Sequence, residues 1–252
     1  HQFIVLRLID SFFAILTSII LFKVILKESC NTFFTVILIT TLLILMNYIE
    51  NIGYGFRNSI WAAYLPLFSA LLIWQNANKE DRYSFYLIGG LVSLGVLLRE
   101  PFLPFFLFAG ISILIGYGWR VLIKYLIGSA VVGFTVLALV LMFRGWDFVN
   151  LFNSYFFTTS WMEDHKDLAS TSFVNYFLLS IKNNWFIYVS AFISFLYLIK
   201  LNLTNKKVVN INRFYFWVGI SLLPLSEPLY KLAWEYHFAN CLPGLAGLTA
   251  LS

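Results

Sequence analysis

Long apolar runs broken by short polar stretches dominate the chain, at residues 3–22, 32–49, 59–75, 83–98, 101–118, 121–143, 184–201, 213–230 and 237–252. As helices, runs of this length cross about 30 Å of hydrocarbon. The pattern predicts an all-α fold, a polytopic transmembrane helix bundle of about nine spans, with residues 1–252 forming one transmembrane domain. Only Arg99, Glu100 and Pro101 separate the fourth and fifth runs. Proline ends a helix at the residue before it, so this pair reads as a tight helical hairpin or as one broken helix. The one long connection, 144–183, is too polar to span yet rich in Phe, Trp and Tyr. Ser170 or Thr171 can cap a helix there, and Phe173, Phe177 and Ile181 follow at helical spacing, which predicts an interfacial helix on the outer leaflet.

Composition agrees with the pattern. Hydrophobic residues make up 60% of the chain and charged residues 12%, with a mean hydropathy of +0.82, against roughly 25% charged residues in a soluble domain. The net charge of +5 is scattered between apolar runs and forms no basic stripe, so membrane topology accounts for it and no nucleic-acid partner is expected. The odd-numbered connections hold ten basic and three acidic residues, the even-numbered ones six basic and eight acidic. The positive-inside rule makes the odd connections cytoplasmic. Cys30 and Cys241 then fall at opposite membrane faces, too far apart to bridge. The chain begins with His1 directly in an apolar run and ends within another, and so reads as an excerpt of a longer protein.

The outer side therefore collects charge next to hydrocarbon, where ionisable groups are costly and usually point into a bundle or a wet cavity. Arg7 and Asp10 lie three residues apart, on one helix face. NYIENIGYGFRNSIW brings Glu50, Tyr54 and Arg57 around two glycines: the acid can act as ligand or base and the tyrosine can stack on a sugar or lipid head. Arg99 either snorkels to lipid phosphates while Glu100 caps the next helix, or grips an anionic headgroup bidentately. In SEPLYKLAWEYHFANCLPG, Glu227 and Glu235 flank Lys231 at four-residue spacing, and His237 is either a donor or a satisfied structural residue. MEDHKD, residues 162–167, offers oxygens to a divalent cation or is a solvated loop. The sequence contains no Walker loop, dinucleotide fingerprint, Gly-x-Ser-x-Gly elbow or CxxC knuckle. No nucleotide cofactor is expected, and a group donor would arrive through the membrane.

These segments resemble a known family. LRLIDSFFAILTSIILFKVIL resembles the arginine-led second helix of GT-C fold glycosyltransferases, especially relatives of protein O-mannosyltransferases and of the aminoarabinose transferase that modifies lipid A, the family 39 type. YLIGGLVSLGVLLREPFLPFFLF resembles their helix ending in an outer-face basic residue, and WEYHFANCLPGLAGLTALS is similar to their late helix. YGFRNSIWAAYLPLFSALLIW fits their polar outer loop before a long apolar helix. The resemblance implies transfer of a sugar from a polyprenyl-phosphate carrier to a lipid, glycan or protein acceptor outside the cytoplasmic membrane. It implies that the usual acidic base lies in a first outer loop, which would precede His1. On this resemblance Glu50 matches a second outer-loop acid, Arg99 the residue neutralising the carrier phosphate, and Arg7 a helper at the edge of the site. Asp10, Tyr54, Arg57, Glu100, Glu235 and His237 complete the expected substrate-binding set. The chain departs from the family in having Leu98 before Arg99 where Thr is usual, Glu100 before Pro101, and Glu235 where a basic residue is common. The alternatives are an outer-face polysaccharide polymerase or ligase, which usually carries several arginines in a long outer loop, and a transporter or lipid flippase, with charges deep in the bundle.

Overall fold

The computed structural model describes residues 2–29, 31–52, 60–77, 83–98, 102–143, 145–149, 166–203, 211–222, 238 and 241–251. Among them the structure is helical, without strands, in ten helices: α1 (Gln2–Ser29), α2 (Thr32–Ile52), α3 (Ile60–Trp74), α4 (Ser84–Leu98), α5 (Leu103–Tyr117), α6 (Trp119–Phe143), α7 (Lys166–Asn183), α8 (Trp185–Leu203), α9 (Ile211–Leu222) and α10 (Leu242–Leu251). Each predicted run overlaps one of them. The bounds differ where basic residues flank the apolar core. α1 continues through Lys23, Lys27 and Glu28, and α6 already includes Arg120, residues that the hydropathy pattern leaves between runs. Long basic side chains can carry their charge away from an apolar surface without ending the helix.

The first six helices run alternately up and down. Asn31 caps α2, its side-chain oxygen accepting the Phe34 N–H at 3.0 Å, so α1 turns directly into α2. Two sets of contacts mark the two ends of the bundle. At one end the Gln75 amide donates to the Glu28 carboxylate (2.6 Å) and to the Val24 carbonyl (3.3 Å). There Lys27 donates to the Gln75 carbonyl (3.1 Å) and to the Asn76 side chain. Trp74 Nε1 donates to the Tyr117 hydroxyl (3.2 Å), and Tyr117 packs on Phe85 at 4.9 Å. The C-terminal ends of α1, α3 and α5 and the start of α4 therefore meet. At the opposite end Tyr64 packs edge-on against Phe102 at 5.0 Å, and Gly95 lies against Leu67 and the Ala63 carbonyl. Phe85 on Tyr117 at one end and the short link from Leu98 to Phe102 at the other make α4 and α5 a hairpin, which settles the choice left by Arg99, Glu100 and Pro101. Gly118, at φ +88°, then turns α5 into α6.

α4 and α6 run parallel and touch backbone to backbone. A Cβ at Gly89 would overlap the Tyr125 carbonyl and one at Gly128 the Tyr86 carbonyl, while Ser129 Oγ bonds both the Gly89 and Tyr125 carbonyls at 2.9 Å. Small residues that let helix backbones approach this closely are typical of packing in lipid, where burial of apolar surface gives little drive. The core fills with aromatics from α3, α5 and α9, among them Tyr64, Phe68, Phe105, Phe216 and Trp217. Outside it, large apolar side chains line the outer helix faces: Leu8, Phe12, Ile15 and Ile19 on α1, Leu103, Leu107 and Ile111 on α5, Val131 and Phe134 on α6, and Val189, Phe192 and Leu196 on α8. Soluble monomers rarely expose apolar surface on this scale.

Among the described residues one helix, α6 (Trp119–Phe143), is long and apolar enough to cross a membrane unaided. A second candidate is the pair Phe173–Asn183 and Trp185–Leu201, bent by 89° at Asn184. At 15 residues each, α3, α4 and α5 measure only about 22 Å by helical rise, short of a 30 Å hydrocarbon layer. The helix expected within 144–183 exists and starts at Lys166, ahead of the expected Ser170 or Thr171 cap. Phe173 and Phe177 stack on it at 6.0 Å. Asn184, 2% exposed, holds the bend by donating from its amide to the Ser180 carbonyl, and the Ser180 hydroxyl meets the Tyr188 hydroxyl at 3.1 Å.

Candidate functional site

The end of the bundle marked by Tyr64 and Phe102 is where the candidate residues gather in sequence. Leu98 and Phe102 flank the segment with Arg99 and Glu100, and Ile52 and Ile60 flank the segment with Tyr54 and Arg57. Contacts of Tyr64 with Phe102, and of Gly95 with Ala63, draw the α3, α4 and α5 ends of these two segments to one end of the fold. Arg7 and Asp10 lie in the first turns of α1 and Glu50 in the last turn of α2. α1 and α2 reverse at Ser29 and Asn31, so depth along the pair can be counted from that turn. Asp10 is 19 residues before Ser29 and Glu50 is 19 after Asn31, each about 28 Å from the turn. The two acids therefore stand level on neighbouring helices.

The α1 register against α3 extends this picture. Thr17 Oγ1 donates to the Trp61 carbonyl at 2.9 Å, and Lys27 reaches Gln75, so α1 and α3 run parallel. Arg7, ten residues before Thr17, lies about 15 Å beyond that contact along the axis. Of Arg7, Asp10 and Glu50 the backbone is described; their side chains are not. Tyr54, Arg57, Arg99, Glu100, Glu235 and His237 lie outside the described residues, as do Cys30 and residues 162–165 of MEDHKD. Phe238, which follows His237, packs on Phe173 and Phe177 of α7 at 5.8 and 5.7 Å. That contact places Phe238 against α7. Cys241 is a buried thiol.

Two features of the core escape a hydropathy reading. Trp61, 1% exposed in the first turn of α3, buries its indole N–H with no partner among the described residues, and Trp217 on α9 does the same. A buried donor without an acceptor costs about 1–3 kcal/mol. The indole of Trp61 thus has an unused hydrogen bond among the described residues, on the turn of α3 that meets Thr17 of α1. Its signal in the sequence is a Trp just inside a predicted span, which reads equally as an interfacial anchor. No group of three or more His, Cys, Asp or Glu side chains able to hold a metal occurs among the described residues. Compared with known proteins, the chain matches no family model, no curated relative and no solved structure.

Proposed function

We propose that the protein is a multi-pass membrane glycosyltransferase that moves a sugar from a polyprenyl-phosphate carrier to an acceptor on the outer face of the cytoplasmic membrane. The observation that carries the reading is the shared end of the bundle. The helix ends that bracket Arg57 and Arg99 meet there, and Asp10 and Glu50 stand level on the adjoining hairpin. The end marked by Lys27 and Gln75 has the connections with the basic excess and is assigned to the cytoplasm. The candidate end is then extracytoplasmic. Nine spans are part of this proposal: the three 15-residue helices reach across by local thinning of the bilayer and by the polar residues that flank them. α7 lies along the outer interface, and its 89° bend into α8 matches a helix entering the membrane from a segment lying on it.

In this mechanism Arg99 pairs with the carrier phosphate and neutralises the charge that grows on it as the glycosidic bond to phosphate breaks. A carboxylate takes the proton of the acceptor hydroxyl, whose oxygen forms the new bond to the sugar carbon. Glu50 is the acid of this chain assigned to that region, with Arg7 and Arg57 adding positive charge and Tyr54 stacking on the sugar. Asp10, Glu100, Glu235 and His237 complete the hydrogen-bonding set. The activated lipid supplies the driving force, so no nucleotide is required.

The test is turnover of a polyprenyl-phosphate sugar by the purified chain in detergent, with and without Arg99→Ala. The variant is expected to insert and elute as the parent does and to lose turnover at least a hundredfold. Undiminished turnover removes the phosphate role from Arg99.

A further inference from the structure

α3 and α5 run parallel: Tyr64 meets Phe102 at one end, and Trp74 meets Tyr117 at the other. Their N-terminal turns therefore open at the same end, joined there by the Tyr64 and Phe102 rings. A helix N-terminus carries about half a positive charge, and two that point the same way reinforce each other. At the far end of α3 the opposite pole is met by a cation, because the Lys27 ammonium donates to the Gln75 carbonyl at 3.1 Å. The positive poles are treated differently. Neither first turn contains an acidic residue, and Phe102, the N-cap of α5, makes no side-chain capping bond. The segments leading into the two helices, 53–59 and 99–101, carry Arg57 and Arg99 against Glu100 in the sequence, which leaves the excess positive.

Trp61 adds a donor at this end. It is the second residue of α3, only 1% exposed, and its indole N–H has no acceptor. Side chains on a helix lean toward its N-terminus, which directs this donor to the opening turn of α3. Free backbone N–H groups and helix dipoles at an N-terminus suit an oxyanion. The indole supplies one further bond of fixed direction, sheltered from water, where a hydrogen bond is electrostatically stronger.

We propose that the first turns of α3 and α5, together with the Trp61 indole, bind a phosphate group. The site deepens the transfer reading given above and rests on it, the carrier lipid supplying the phosphate. The test uses the full chain in mild detergent with isotope-labelled tryptophan, whose indole N–H signals are followed by NMR as a short-chain isoprenyl phosphate, inorganic phosphate or the matching isoprenyl alcohol is added. The Trp61 signal is identified by its loss in Trp61→Phe or Trp61→Tyr, whichever elutes and melts as the parent does. It is expected to move downfield with the isoprenyl phosphate and to stay with the alcohol, while the Trp74 signal, its donor already held by Tyr117, stays throughout. A shift with inorganic phosphate as well supports the site and makes the lipid chain dispensable; a shift with the isoprenyl phosphate alone supports it as a lipid-phosphate site. The Trp61 variant is expected to bind isoprenyl phosphate about tenfold more weakly or worse, the loss of one hydrogen bond to a charged oxygen. An unmoved Trp61 signal at saturating isoprenyl phosphate, an equal shift with the alcohol, or parental affinity in the variant overturns the site. Turnover of the sugar donor with that signal unmoved removes the site and leaves the transferase standing, whereas phosphate binding at Trp61 without turnover does the reverse.

Discussion

Gly118 joins α5 to α6 at φ +88° and ψ 174°, and nothing stands within 4 Å of the Cβ it lacks. Space is therefore irrelevant to the choice of residue there, and conformation decides it. That region of backbone space is open almost only to glycine, and Gly118→Ala should cost about 1–3 kcal/mol, read as a lower midpoint in thermal unfolding in detergent. Gly89 presents the opposite case. Its backbone is helical, but a Cβ would overlap the Tyr125 carbonyl. A sequence displays two glycines and cannot say which is needed for conformation and which for contact. The same limit applies to the candidate site. Arg99, Glu50 and Arg7 were legible as residue types that do not belong near hydrocarbon, because their cost there is intrinsic. The buried indole N–H of Trp61 was not legible, because only packing reveals that its donor goes unused.

At the scale of elements, hydropathy located the helices well and their ends poorly. The runs at 3–22 and 121–143 understate α1 and α6 because Lys23 and Lys27 after the first run and Arg120 before the second belong to the helical backbone. The α4 and α5 hairpin was one of two options until Phe85 was seen against Tyr117, since Pro101 breaks a helix without fixing the direction of the next one. What the pattern missed outright is the seam between α4 and α6, although Gly89, Gly90, Ser93, Gly128, Ser129 and Gly133 are plain in the sequence. Gly128→Val should force these two helices apart and cost about 3 kcal/mol. Ser129→Ala removes a hydroxyl that bridges them and should cost roughly 0.6–1.7 kcal/mol. Both are measured by reversible unfolding in mixed micelles. A Gly128 variant as stable as the parent would mean that α4 and α6 do not touch as described.

For the whole molecule, alternation is the property on which the functional reading depends. Helices α1 to α6 reverse in turn, which puts Asn31, Ala77, Tyr83 and Gly118 at one end and Ile52, Ile60, Leu98 and Phe102 at the other. The sequence anticipated this alternation by reading each apolar run as one pass; the sides expected from charge, since translocating lysine and arginine is unfavourable, belong to the proposal. The sequence could not give depth. The level stance of Asp10 and Glu50 follows from a tight turn capped by Asn31, and a hydropathy window does not resolve such a turn. The arrangement predicts opposite labelling at the two ends. In a chain with Cys30→Ser, Cys241 being buried, a cysteine at Asn58 should react with an impermeant thiol reagent from outside intact cells. A cysteine at Tyr83, 75% exposed at the start of α4, should react only after the membrane is opened. If both positions label from the same side, the helices between them do not cross. The charges assigned to one outer chamber would then be separated by the bilayer, and Arg99 could not meet a carrier phosphate alongside Glu50.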